Sequence, residues 1–328
     1  MATYRISYIV TTYNKLAYLQ QVLGRLIQAR RADEEIVVAD GGSSDGTTAY
    51  LRQLFEEGRI QQFISERDKG EAHGFNKGMM MARGEVVKIV TDDDAYHYPT
   101  IRRALEFMEA NPDVDVVLGN CAKTALHDLT QGRVPYEPAQ KYQEWLQNRT
   151  PFWMIALPMM VRRKSLALTG LFATGIVLID LEFIYRITSL KTNIAWCSGV
   201  LSMHLDNADG NFNRMKPEAI KLEHDKARFA YARVAPPTAS TRLQSAFEAV
   251  KRPIRPAKRL LFARLGLRQI EPAPEAEVIA TNYQPAAGEG QLEAAYRVCD
   301  EFMEHYNQTH PIEFVYKAGG IDKVLQKG

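Results

Sequence analysis

Residues 36–47 read IVVADGGSSDGT, and this stretch decides the fold. Glu35–Ala39 is an apolar run without alternation, the pattern of a strand covered on both faces. Asp40 ends the run. Gly41 and Gly42 permit a tight turn and let the backbone approach a ligand closely. Asp45-Gly46-Thr47 then opens a helix, whose N-terminus favours anions. The glycine spacing is not that of a dinucleotide-binding turn, and no GxxxxGK[ST] phosphate loop occurs anywhere in the chain.

The same unit repeats on either side. Ile6–Val10 reads as a strand, followed by a helix in which Leu16, Leu19, Leu23 and Leu26 recur at helical spacing and Asn14 is the expected cap. Further along come a helix over Thr47–Glu57, a strand over Ile60–Ser65, a helix over Gly74–Ala82 and a strand over Glu85–Val90. A helix beginning at Pro99 and a strand over Val114–Leu118 follow. Apolar strands alternating with helices predict an α/β fold with a mostly parallel sheet flanked by helices. Ligands in such sheets bind beyond the carboxyl ends of the strands. Three of those ends are polar: Thr11-Thr12-Tyr13-Asn14, the turn from Asp40 to Thr47, and Thr91-Asp92-Asp93-Asp94. The fold puts all three on one rim. Consecutive carboxylates repel one another, and a hard divalent cation relieves the conflict by taking one or two of them together with substrate phosphates. Taken alone, the triplet also reads as a solvated acidic turn before Pro99, and residues 40–47 as an ordinary capped turn.

Four blocks in order, namely residues 36–47, Glu66-Arg67-Asp68-Lys69-Gly70, Asn76-Lys77-Gly78 and the aspartate triplet, resemble the family 2 glycosyltransferases of GT-A fold over about residues 4–205. The resemblance implies a Rossmann-like nucleotide-binding half and inverting transfer of a sugar from a nucleotide diphosphate. Uridine is the expected base because it is commonest in that family. It implies that Asp40 contacts the base, in a pocket shaped by Thr12, Tyr13 and Gly42, with Asp68 and Lys77 alongside the nucleotide. Asp92 and Asp94 correspond to the DxD-type motif, Asp94 on Mn²⁺ or Mg²⁺ and Asp92 on ribose or metal. Three consecutive aspartates leave the register open by one residue, which keeps Asp93 among the nucleotide contacts. The catalytic base implied by the resemblance follows Gly170-Leu171-Phe172 and precedes an arginine by six positions. Asp180, with Arg186, has that interval; Glu182 is the alternative, and a helix cap is the competing role for Asp180. His204 is a candidate metal or phosphate ligand, against the commoner reading of a structural histidine. Trp153 and Arg162-Arg163 fall on the acceptor side, where the acceptor is a glycan or a lipid-linked sugar.

Composition narrows the partners. The 328 residues are 46% hydrophobic and 24% charged with a net charge of +2, a balance that disfavours a nucleic-acid binder. Cys121, Cys197 and Cys299 are scattered, without disulfide or zinc spacing. The chain starts directly into a strand pattern and has no apolar run of spanning length. A cytoplasmic protein is expected, peripheral at the inner membrane face if residues 242–268 act as an interfacial basic helix pair, since they carry eight Lys/Arg against Glu248 alone. The expected organisation is a catalytic domain over 1–235, with halves 1–120 and 121–235, and a basic, proline-rich and then helical extension over 236–328. Two rival functions differ in signature. A nucleotidyltransferase would carry a glycine- and lysine-rich loop after the first strand, and Thr11–Lys15 has no glycine. A non-catalytic relative would lack the metal carboxylates or the base, and all are present.

Overall fold

The computed structural model describes residues 4–208, 210, 215–231, 274–281, 283–284, 286 and 288–317. The nucleotide-binding half is built as β1 (Ile6–Thr12), α1 (Leu16–Ala29), β2 (Glu34–Asp40), α2 (Thr47–Glu56), β3 (Gln62–Ser65), α3 (Glu71–Met81) and β4 (Val86–Val90). Its four strands run parallel in the order β4-β1-β2-β3. The strands read as apolar throughout because both faces are covered. Tyr8, Val10, Ile36 and Val38 enter one core with the helices α1 and α2, while Ile9 and Val37 enter a second core under α3.

The second half interrupts the parallel pattern. After β5 (Ala95–Tyr96) and α4 (Tyr98–Ala110), the expected short strand runs on to Ala125 as β6 (Val116–Ala125) and turns back as β7 (Asp128–Pro135). Then follow α5 (Glu137–Asn148), β8 (Met160–Arg162), α6 (Leu166–Thr169), α7 (Ile179–Ser189), β9 (Ile194–Asp206) and α8 (Pro217–Tyr231). β8 inserts antiparallel between β4 and β6, β7 is antiparallel to β6, and β9 is parallel to β6. The sheet is therefore mixed beyond β4.

Two expectations are corrected by local hydrogen bonding. Asn14 does not cap α1. It adopts a positive φ of 52° and accepts from the Ser44 N–H at 2.8 Å, while the α1 N-terminus is capped from across the rim by Asp45, which accepts from Leu16 N at 2.9 Å. α3 starts at Glu71 rather than Gly74, because Gly70, with φ of 101°, turns the chain directly into the helix. The C-terminal segment is also more than an appendage. β10 (Ala276–Ala280) pairs with β7, β11 (Phe314–Val315) pairs with β9, and α9 (Gln291–Thr309) buries Tyr296, Cys299, Phe302 and Met303 in the first core. The basic stretch 242–268 lies outside the described residues. Among the described residues no helix is long and apolar enough to cross a membrane.

Candidate active site

Register fixes the rim. Thr12 pairs with Asp40 and Asp40 with Ser65, so β1, β2 and β3 end level, while β4 ends at Val90 opposite Val10, two residues earlier. Gly41 lies just past the end of β2, and a side chain there would meet Asp68 Oδ2 at 2.9 Å and the Tyr13 ring at 3.2 Å. Asp68 and the exposed Tyr13 thus converge over a glycine that leaves them room. Gly42, with φ of 83°, passes close to the Arg67 backbone. Lys77 reaches Glu66, 3.5 Å from its carboxylate.

Asp40 has a different place from the one expected. It is fully buried, and its carboxylate accepts from Ser43 Oγ at 2.5 Å, Ser65 Oγ at 2.6 Å and Thr48 Oγ1 at 3.0 Å. It ties the end of β2 to the turn, to α2 and to β3, which leaves it no open face toward a nucleotide base. Asp68, in the loop after β3, is the half-buried acidic side chain that comes against Gly41.

The aspartate triplet splits into two environments. Asp92 and Asp93 converge on the Lys15 ammonium, which is ion-paired with Asp93 and lies 3.7 Å from Asp92. Asn207 Nδ2 donates to Asp93 at 3.1 Å. Burial and then the Asp93 charge push the Asp92 carboxyl up to about 7, against the pull of Lys15, the Thr12 hydroxyl and the Tyr13 N–H. Asp94 faces the other way. Its oxygens accept from His204 Nδ1 at 2.8 Å, Leu205 N at 3.0 Å and Thr91 Oγ1 at 2.7 Å. Burial would raise Asp94, but the His204 charge and these donors hold it below its ordinary value. Burial lowers His204, yet Asp94 overcomes this and raises it. A carboxylate bonded to one ring nitrogen fixes the imidazole's orientation and leaves the other nitrogen to point elsewhere.

A divalent cation can be tested against these side chains. Among the described residues no three His, Cys, Asp or Glu side chains gather tightly enough to hold a metal by themselves. Magnesium and manganese usually need only one or two carboxylates, the rest of the shell coming from water and phosphate oxygens. Asp92 and Asp93 already aim at one cationic centre, the Lys15 ammonium. That pair, with its raised carboxyl, fits a cation shared with a phosphate-bearing ligand.

Asp180 and Glu182 are separated by their surroundings. Glu182 is buried, paired with Arg186 through contacts of 2.8 and 3.0 Å, and bonded by Tyr231 at 2.6 Å. It cannot give up its ion pair cheaply, and the expectation of a fallback base there fails on that ground. Asp180 is the second residue of α7, not its N-cap, which is Leu178. Just ahead of the helix, the N–H groups of Val177 and Leu178 donate to Glu223 of α8 at 2.9 and 2.7 Å. The Asp180 carboxylate receives the neighbouring Leu181 N–H at 2.8 Å. Burial pushes it up to about 6, partly offset by the backbone of Leu181 and Ala156 and by the charge of His204. Asp180 therefore lies within the field of the His204–Asp94 pair. A carboxylate poised near neutrality in such a place suits proton transfer.

Of the acceptor-side candidates, Arg162 is structural. Its guanidinium is buried and donates to the Val114 and Met108 carbonyls at 2.9 and 2.6 Å. Trp153 is 41% exposed. The residues that reading the sequence missed are Lys15 and Glu223. Lys15 carries one detectable signal: a cation at a helix N-terminus is unfavourable, so a lysine there calls for an acidic partner.

Comparison with known proteins places the geometry in context. The family model described as glycosyl transferase family 2 matches residues 7–168. An uncharacterized glycosyltransferase, alr2836, of Nostoc sp. is 31% identical over 136 residues, which is 39% of this chain and 42% of that protein. A GalNAc(5)-diNAcBac-PP-undecaprenol beta-1,3-glucosyltransferase of Campylobacter jejuni is 30% identical over 119 residues, 36% of this chain and 38% of that protein. The chain thus spans less than half the length of these curated relatives. The solved mannosyltransferase PcManGT from Pyrobaculum calidifontis, in complex with GDP-Man and Mn²⁺, has a TM-score of 0.50 at 20% identity, covering 76% of this chain and 81% of that one. That likeness is one of fold.

Proposed function

Through residues 7–168 the chain belongs to glycosyl transferase family 2, and from that premise we propose that it moves a sugar from a nucleoside diphosphate to a hydroxyl of a glycan or lipid-linked acceptor, with inversion at the anomeric carbon. The observation that carries this reading is the Asp180 carboxyl itself, raised to about 6 by burial, held by the Leu181 N–H at 2.8 Å and acted on by the His204 charge.

Each residue has a task in this reading. Tyr13 and Asp68 line the nucleoside end of the rim, next to Gly41. Gly42 and Lys77 border the same groove. Asp92 and Asp93 would hold a divalent cation, Mn²⁺ or Mg²⁺, together with the diphosphate. When bound, that cation stabilises the charge developing on the departing nucleoside diphosphate. Asp94 keeps His204 aligned toward the same end of the site. Asp180 accepts the acceptor's proton as the new bond forms, since a sugar hydroxyl is too weak an acid to ionise first. One carboxylate in that role means a single displacement. Support for a lipid-linked or polymeric acceptor comes from the relatives, whose names include an undecaprenol-linked glucosyltransferase and a poly-beta-1,6-N-acetyl-D-glucosamine synthase.

The test is the anomeric configuration of the product, read by NMR after incubation with UDP- and GDP-sugars and Mn²⁺. Inversion is expected. Retention would rule out Asp180 as the sole base.

A further inference from the structure

Away from the rim, a cavity of about 370 Å³ opens between the loop 150–153, the start of α5, α7 and the outer turns of α8. Its size is at the lower end of the usual range for small-ligand pockets, ~300–1,000 Å³. The wall includes Trp153, whose ring meets His224 edge-on at 5.3 Å and 83°. This contact holds the indole in place while leaving it 41% exposed. Around it stand two acids, Glu137 and Asp225, and two bases, Lys141 and Arg228. The charges balance, so the cavity does not select an anion or a cation. It offers hydrogen-bond donors and acceptors around a flat apolar face. A neutral pyranose matches that pattern: its hydroxyls lie around the edge, and its axial C–H groups lie against an aromatic face of negative potential.

We propose that this cavity is a second saccharide subsite, which holds a hexose or N-acetylhexosamine unit of the acceptor glycan away from the reacting hydroxyl. The proposal rests on the transferase reading for what a bound glycan would be doing there. Its position suits that role. Trp153 is three residues from Ala156, whose backbone helps to hold the Asp180 carboxylate, and three residues span at most ~11 Å. Glu223, which accepts from the Val177 and Leu178 N–H groups just ahead of α7, is the immediate neighbour of His224. A chain of sugars leaving the Asp180 end therefore runs over Trp153 within a few units.

Intrinsic fluorescence tests the subsite directly, because the other two tryptophans, Trp145 and Trp196, are buried. The full chain is titrated with cellotetraose and with chitotetraose, without donor nucleotide or metal. A saturable change with at least one of them is expected. Saturation-transfer NMR should show the same sugar bound about tenfold more weakly or worse by Trp153→Ala, and still bound by Trp153→Phe, which keeps an aromatic face. Absence of saturation with both sugars, or equal binding by Trp153→Ala, would overturn the subsite. Because no donor is present, either failure leaves the transferase reading standing; a protein that binds these sugars but transfers none would sink that reading and keep the subsite.

Discussion

Asp180 and Lys88 show how burial converts single residues into pH-dependent ones, with opposite consequences. As a base, Asp180 works when ionised, and its carboxyl is raised to about 6. Transfer measured as kcat/KM should therefore climb as pH rises through about 6 and flatten above it. Asp180→Asn should lose about a hundredfold or more in rate at neutral pH while the protein still binds nucleotide. Lys88 sits in the middle of β4, fully buried, donating to the Ile89 carbonyl at 2.6 Å and lying 4.7 Å from the Tyr96 ring centre. Burial pulls its ammonium down to about 7 from 10.5. Between those values the unfolded chain holds a proton that the folded one has lost, so stability rises with pH, by at most ~1.4 kcal/mol per unit for this group. Urea melts from pH 7 to 10 should show that slope, and Lys88→Met should flatten it. Neither environment was written in the residues alone. The interval from Asp180 to Arg186 drew attention to the start of α7, yet Arg186 pairs with Glu182 one turn below itself, which is what removes Glu182 from contention. The resemblance implied a base contact for Asp40; three hydroxyls from three elements enclose it instead.

At the scale of elements, the closeness of α3 to β1 is what brings Asp68 and Lys77 up to the rim. That approach depends on Gly78. A β-carbon there would overlap the Cγ2 methyl of Ile9 on β1, which leaves no room for even the smallest side chain. Two effects of Gly78→Ala compete. Helix propensity favours alanine by up to ~1 kcal/mol, while overpacking a tight core costs ~1–3 kcal/mol. The overlap is with a branched side chain fixed in a central strand, so the steric cost should win and the variant should be net destabilised. Ile9→Ala opens a cavity alone but removes the clash, so the double variant should be less destabilised than the sum of the two. A double-mutant cycle in denaturant measures this coupling, and strict additivity would refute the packing account. Periodicity revealed α3 and β1 separately, since each carries its own apolar pattern. Which helix face meets which strand, and how closely, depends on the twist and order of the whole sheet, and no local pattern records that. The capping of α1 by Asp45 is the same kind of fact: a cap supplied by the neighbouring turn in space, where the chain itself offered Asn14.

For the molecule as a whole, the question is whether the catalytic half stands without the C-terminal segment. The change at Pro236 to proline-rich, basic sequence is a change of composition, whereas the packing of the core continues in residues 274–317. The expectation of a helical end to the extension is met by α9. Its partners were not legible in the sequence, because β10 pairs with β7 and α9 packs on β9 across long stretches of intervening chain. Phe302 lies so close over Gly132 of β7 that an added β-carbon there would overlap the ring. Arg25 of α1 is bonded to Asp300 at 2.7 Å and stacks 5.1 Å from the Tyr296 ring centre, so α9 also clamps the first helix of the nucleotide-binding half. Tyr296, Val298, Phe302 and Met303 are all buried. At ~1.5–3 kcal/mol for each large apolar side chain, their burial contributes on the order of 6–12 kcal/mol, comparable with the whole stability of a typical domain, ~5–15 kcal/mol. A fragment ending at residue 235 should therefore lack a cooperative thermal transition and bind a hydrophobic dye, whereas the full chain should melt cooperatively. Adding residues 274–317 in trans should restore part of the transition, because they supply the partners that β7, β9 and α1 lack in the fragment. If the fragment melted as sharply as the intact protein, α9 would be an accessory laid on a self-sufficient core, and the contacts at Gly132 and Arg25 would count for little.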